Sequence, residues 1–157
     1  MRRRSSAILA VALLAANAVA ATGCAACTVV KGPPVSPPAA GAPADAVVRT
    51  YLAGIRARDA EVVRAVTAPF FHQRYHDYWS DPIRSWIDVR VSEVGAPAPD
   101  TYGSGGYRQV RRVFVTIDVR RCNEEPPNDD PHYPYTFLLG RQADAAPWKI
   151  IDMGGLG

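Results

Sequence analysis

The chain has 157 residues, with 18 Lys and Arg against 15 Asp and Glu. Arg2, Arg3 and Arg4 account for the whole basic excess, so everything after them is formally neutral. The basic excess is therefore no evidence for a nucleic-acid partner, which would need a basic face on the folded part, and the three cysteines, Cys24, Cys27 and Cys122, are an odd number to be explained.

From the N-terminus, Met-Arg-Arg-Arg leads through Ser5 and Ser6 into the apolar run AILAVALLAANAVAA, residues 7–21, interrupted by Asn17. A positive start, a short apolar core and small residues at its end mark a secretory signal. The run is shorter than the ~20 apolar residues a membrane-spanning helix needs. Ser5 and Ser6 stand where twin-arginine export expects apolar residues, which argues against that route. Export places the rest of the chain where disulfides persist.

The stretch ATGC, residues 21–24, resembles the lipobox of bacterial lipoproteins, in which a small residue precedes a cysteine that becomes the lipidated N-terminus. Thr22 and Gly23 fit that pattern, while Ala21 stands where Leu is usual. The resemblance implies a signal peptide over residues 1–23 and a diacylglyceryl group on Cys24. The membrane partner then holds the protein durably at the extracytoplasmic face, since two acyl chains anchor where one does not. The other reading is cleavage after AVA, residues 18–20, which gives a secreted protein. With Cys24 acylated, Cys27 and Cys122 are left to pair as a disulfide or to stay as thiols. Residues 24–43 include TVVKGPPVSPPAAGAP, too rich in proline and small residues to bury a core. At ~3.1 Å per residue in extended form, this tether reaches roughly 50 Å.

Residues 44–157 are the size of one small domain. In ADAVVRTYLAGIRARD, Val47, Val48, Tyr51, Leu52 and Ile55 share a helical face, and Pro43 and Asp45 suit the start. Asp59 predicts the cap of a second helix, with Val62, Val63 and Val66 as its buried stripe and Pro69 as its stop. SDPIRSW predicts a third, short helix with Asp81 as cap and Pro82 in its first turn. The period then changes to two. IDVRVSEV, RVFVTIDVR, YPYTFLL and WKIIDM predict four strands, with RQADAAP turning between the last two. Helices followed by an antiparallel meander make an α+β fold with the helices on one face.

The helical stretch AVVRTYLAGIRARDAEVVRAVTAPFF, the meandering strands and the closing PWKIID are similar to the NTF2-like superfamily. That is the cone shared by ketosteroid isomerase and the SnoaL-type cyclases. The resemblance covers most of residues 44–157 and implies N-terminal helices packed on a curved antiparallel sheet. The superfamily holds isomerases, dehydratases, binding modules and inert interaction domains, so fold does not decide function.

Isomerase chemistry needs a carboxylate base and a pair of acidic donors for the enolate oxygen. On an ungapped match to ketosteroid isomerase, the donor tyrosine falls on Tyr51. The base falls on Tyr75, which cannot serve at neutral pH, with Asp77 two residues away. The second donor falls near Tyr135, where no acid stands. His72 and His76, four apart in HQRYH, would share a helical face as metal ligands do, with Asp77 or His132 as a third. The zinc-protease form of that motif needs Glu where Gln73 stands, so two histidines beside an aromatic core are the better reading.

The rings of Phe70, Phe71, Tyr75, Tyr78, Trp79 and Trp86 fill a core or rim an apolar pocket, and Tyr51, Tyr75, Trp79 and Trp86 are the candidate ligand-binding residues. Asp118 either faces a pocket or pairs outward with the strand carrying Asp88 and Arg90, and the outward reading is preferred. NEEPPNDDPH matches no calcium loop and reads as a solvated hairpin tip, and TYGSGGYR as a turn. The expectation is an anchored extracytoplasmic protein whose domain binds a small apolar ligand or a protein partner, without a cofactor. The alternative is a cofactor-free isomerase or cyclase using Tyr51 and Asp77. A homodimer through the open sheet face is a third possibility.

Overall fold

The structure, a computed structural model, describes residues 29–75, 81–100, 106–121 and 132–155. Helix α1, Ala44–Ala57, begins after an extended Pro43 with Asp45 in its first turn, where the helix dipole favours an acid. It ends in a Schellman motif. Arg58 N–H bonds to Ile55 O at 3.1 Å, and Asp59 N–H bonds to Gly54 O at 2.9 Å. Arg58 stands at the left-handed position where glycine is usual, with φ 58°. Helix α2, Ala60–Val66, starts at once because Asp59 Oδ1 accepts from Glu61 and Val62 N–H at 3.1 and 3.0 Å. Two single-turn helices follow, α3 over Phe71–Arg74 and α4 over Pro82–Ser85, the latter capped by Asp81 through Ile83 N–H.

Among the described residues, five strands follow: β1, Trp86–Val94; β2, Ala98–Pro99; β3, Gln109–Arg121; β4, His132–Arg141; and β5, Lys149–Gly155. All pair antiparallel in the order β1-β3-β4-β5, and β2 lies beside β3 beyond the end of β1. The four expected strands are present. The fifth, β2, was not foreseen, because Pro97 and Pro99 break the alternation and only an edge strand tolerates them. The class is α+β, with an open antiparallel sheet.

One face of β3 buries Val113, Val115, Ile117 and Val119 against the apolar stripe of α1. The other face carries Phe114, Asp118 and Arg120. There Arg90 stands opposite Asp118 and Asp88 opposite Arg120 in the register, while Arg90 pairs with Asp88 on its own strand at 3.5 Å and Asp118 Oδ1 accepts from Ser92 Oγ at 3.3 Å. A smaller apolar cluster of Ala68, Val110 and Ile151, with Tyr107 and Leu138, closes the far end of the sheet. Gly140 leaves room for the Tyr107 ring, since a Cβ there would lie 2.4 Å from Tyr107 Cγ.

Residues 30–42 differ from the free tether the composition predicts. Val30 N–H bonds to Ile87 O on the edge of β1 at 2.9 Å, and Gly32 N–H bonds to Arg56 O at the end of α1 at 2.8 Å. Pro33 and Val35 then border a groove with Leu52, Ala53 and Val89, while Pro37 and Pro38 lie by Val66 and Trp148. Composition shows that this segment cannot build a core. It does not show whether the segment can lie on one already built.

Among the described residues, no helix is long and apolar enough to cross a membrane.

Candidate functional site

Three of the residues singled out in the sequence meet in one place. Tyr51, His72 and Tyr75 line a cavity of about 120 Å³ between α1, α2, α3 and α4, with Arg64, Asp81 and Ile83 completing its wall. The helical stripe of α1 brings Tyr51 there, and the single turn of α3 brings the other two.

Tyr51 is fully buried. Its ring meets Phe71 edge-on at 5.9 Å and Phe137 at 5.6 Å, and its hydroxyl donates to Met153 Sδ at 3.6 Å. Burial pushes its pKa well above 10.0, with Asp81, Tyr75 and Tyr135 adding to the shift. The hydroxyl thus donates to a sulfur, and Asp81 is the acid among the described residues that shares its cavity wall.

Tyr75 is half-buried, and its hydroxyl lies 2.7 Å from both Asp152 Oδ1 and Met153 O. It also accepts from Met153 N–H at 3.4 Å. Arg74 closes the group with an ion pair to Asp152 at 2.7 Å. Burial first, then Asp152, pushes the Tyr75 phenol up to about 12, against the opposing pull of Met153 and Arg74. Asp152 and Arg74 were not foreseen, because a contact across 77 residues leaves no local signal.

His72 Nε2 lies 2.7 Å from Thr67 Oγ1, which donates its only proton to Val63 O at 2.9 Å. With the hydroxyl proton on Val63 O, Nε2 is the donor of the pair and carries the hydrogen. Burial and Arg64 lower the pKa from 6.5, and Asp81 opposes them. The metal reading required His72 and His76 on one continuous helix. Helix α3 ends at Arg74, and His76 lies outside the described residues, as does the His132 side chain. Among the described residues, no three His, Cys, Asp or Glu side chains gather as metal ligands do.

Trp86 does not join this cavity. It is buried in the core, edge-on to Tyr135 at 5.7 Å, and it belongs to the packing between α1 and the sheet. Asp77, Trp79, Cys24, Cys27 and Cys122 lie outside the described residues.

Comparison with protein-family models, with curated proteins and with solved structures found no match.

Proposed function

We propose that the chain is an exported protein, anchored to the membrane by lipid on Cys24, whose domain is NTF2-like and binds a protein partner without catalysis. The observation that carries the binding part is the filled interior. Tyr51, Phe71, Phe137, Trp86 and Ile117 occupy the space between helices and sheet and are all 2% exposed or less. An apolar ligand pocket commonly measures about 300–1,000 Å³. The cavity at Tyr51 measures about 120 Å³, and polar side chains form much of its wall. The short apolar segment before ATGC supports the anchor. The NTF2-like reading draws on two helices joined at Arg58 and Asp59, followed by an antiparallel sheet that buries one face on them.

A catalyst of SnoaL or isomerase type would hold an acid against the Tyr51 hydroxyl, and among the described residues that hydroxyl donates to Met153 Sδ. The test is an engineered void. Phe137 is fully buried at the centre of the ring cluster. Phe137→Ala costs about 3–5 kcal/mol and opens an apolar hole that benzene can fill. Thermal unfolding with and without benzene should show no stabilisation of the wild type and a clear rise for the variant. A saturable rise in the wild type would mean that an apolar pocket already exists, and the small-ligand reading would replace this one.

A further inference from the structure

We infer that the edge formed by residues 29–33, the C-terminal half of α1 and the start of β1 is a docking surface for the headgroups of an anionic bilayer. This rests on the anchor reading for its geometry, and on the structure for its chemistry. Val30 is hydrogen-bonded to Ile87 O, so the path from the domain to Cys24 runs back only from residue 30. Six residue steps reach at most about 20 Å, less than half of what a free tether would allow. A domain held that closely turns this edge toward the membrane rather than its sheet face or the Tyr51 cavity.

The surface presented there has the composition a headgroup layer selects. Val29, Val30 and Val91 are among the few exposed large apolar side chains of the described residues, at 45%, 37% and 41%. Lys31, Arg49 and Arg56 stand exposed on the same elements. Gly32 draws the segment against the Arg56 side chain, and a Cβ at Gly32 would lie 2.8 Å from Arg56 Cγ. Pro33, Val35 and Val91 border a groove of about 330 Å³, with Arg49 and Arg56 also on its wall.

The acids on these elements pair with Arg49 and Arg90, so the charge offered there is that of Lys31 and Arg56. Asp45 lies 4.0 Å from Arg49, Asp88 is buried with its Oδ2 3.5 Å from Arg90, and Glu93 borders a separate groove with Phe114 and Pro134. Basic side chains flanking small apolar ones match phosphate headgroups above an acyl boundary, and each basic residue near an anionic surface adds to binding.

The experiment uses the mature protein recovered from its own host. Its mass first reports whether Cys24 is acylated. Amide hydrogen exchange is then followed with vesicles of phosphatidylcholine alone and of phosphatidylcholine with phosphatidylglycerol. Exchange at residues 29–33 and 87–91 should slow by at least about threefold with the anionic vesicles, and less in high salt. Lys31→Glu with Arg56→Glu should abolish that protection, while Arg108→Glu, at the other end of β3, should not. Equal protection on both vesicles, none on either, or protection confined to the outer sheet face would overturn the surface. An acylated protein without the footprint fails here and keeps its anchor. A protein without acyl groups that still shows the anionic footprint keeps the surface and loses the anchor.

Discussion

Arg58 carries two roles that usually fall to different residues. Its backbone takes the left-handed turn that ends α1, at a cost glycine would avoid. Its guanidinium donates to the carbonyls of Ile83 and Trp86, tying the helical corner to the start of β1. The two contributions separate in mutants. Arg58→Ala keeps the backbone cost and loses the side-chain bonds, which should lower stability by about 2 kcal/mol. Arg58→Gly loses the same bonds but relieves the backbone, so it should unfold about 1 kcal/mol later than the alanine variant. Urea titration of the three proteins checks the order, and equal midpoints for the two variants would remove the backbone argument.

His72 gives a second test at the same scale. Its folded pKa lies below the ordinary 6.5, so the unfolded chain takes up the proton first. Stability from this group is full above about pH 6.5 and is lost as pH falls through the lowered folded value. His72→Gln should flatten that part of the stability curve, read from denaturant midpoints across the acid range.

At the scale of elements, the exposed edge of β5 is the feature that most needs managing, since an open strand edge invites pairing with other chains. Ala68 N–H bonds to Ile150 O at 2.8 Å, and the Tyr75 hydroxyl bridges to Met153 O and N–H. The connection after α2 and the single turn of α3 thus cap the edge with one backbone bond and one side chain. Tyr75→Phe removes the second cap and should cost about 1–2 kcal/mol. Hydrogen exchange at Met153 should rise with it, while the Ala68 N–H, which makes the other cap, stays protected. Unchanged exchange at Met153 would mean that something other than Tyr75 protects the edge.

These elements also show what could be read in advance. The caps Asp59 and Asp81 act on N–H groups two or three residues on, so their chemistry is local and visible in the sequence. The four long strands declare themselves by a period of two, because one face is buried on α1. The Tyr75–Asp152 bond, the Thr67–His72 bond and the docking of residues 30–42 depend on how distant parts come together. Tyr51 was singled out for chemistry, and its helical position was right. Its surroundings are a sulfur and two rings, which no spacing within α1 encodes.

For the whole molecule, the proposed lipid on Cys24 anchors a domain whose interior is occupied by its own rings. Both halves follow from mass alone, so one measurement reads them together. It is a native mass spectrum of the protein extracted from its own host in mild detergent. The account predicts a chain that begins at Cys24, carries a diacylglyceryl group and releases no small molecule on activation. A lipid-free chain beginning near Ala21 would contradict the anchor, and a small molecule leaving the folded protein would contradict the filled interior.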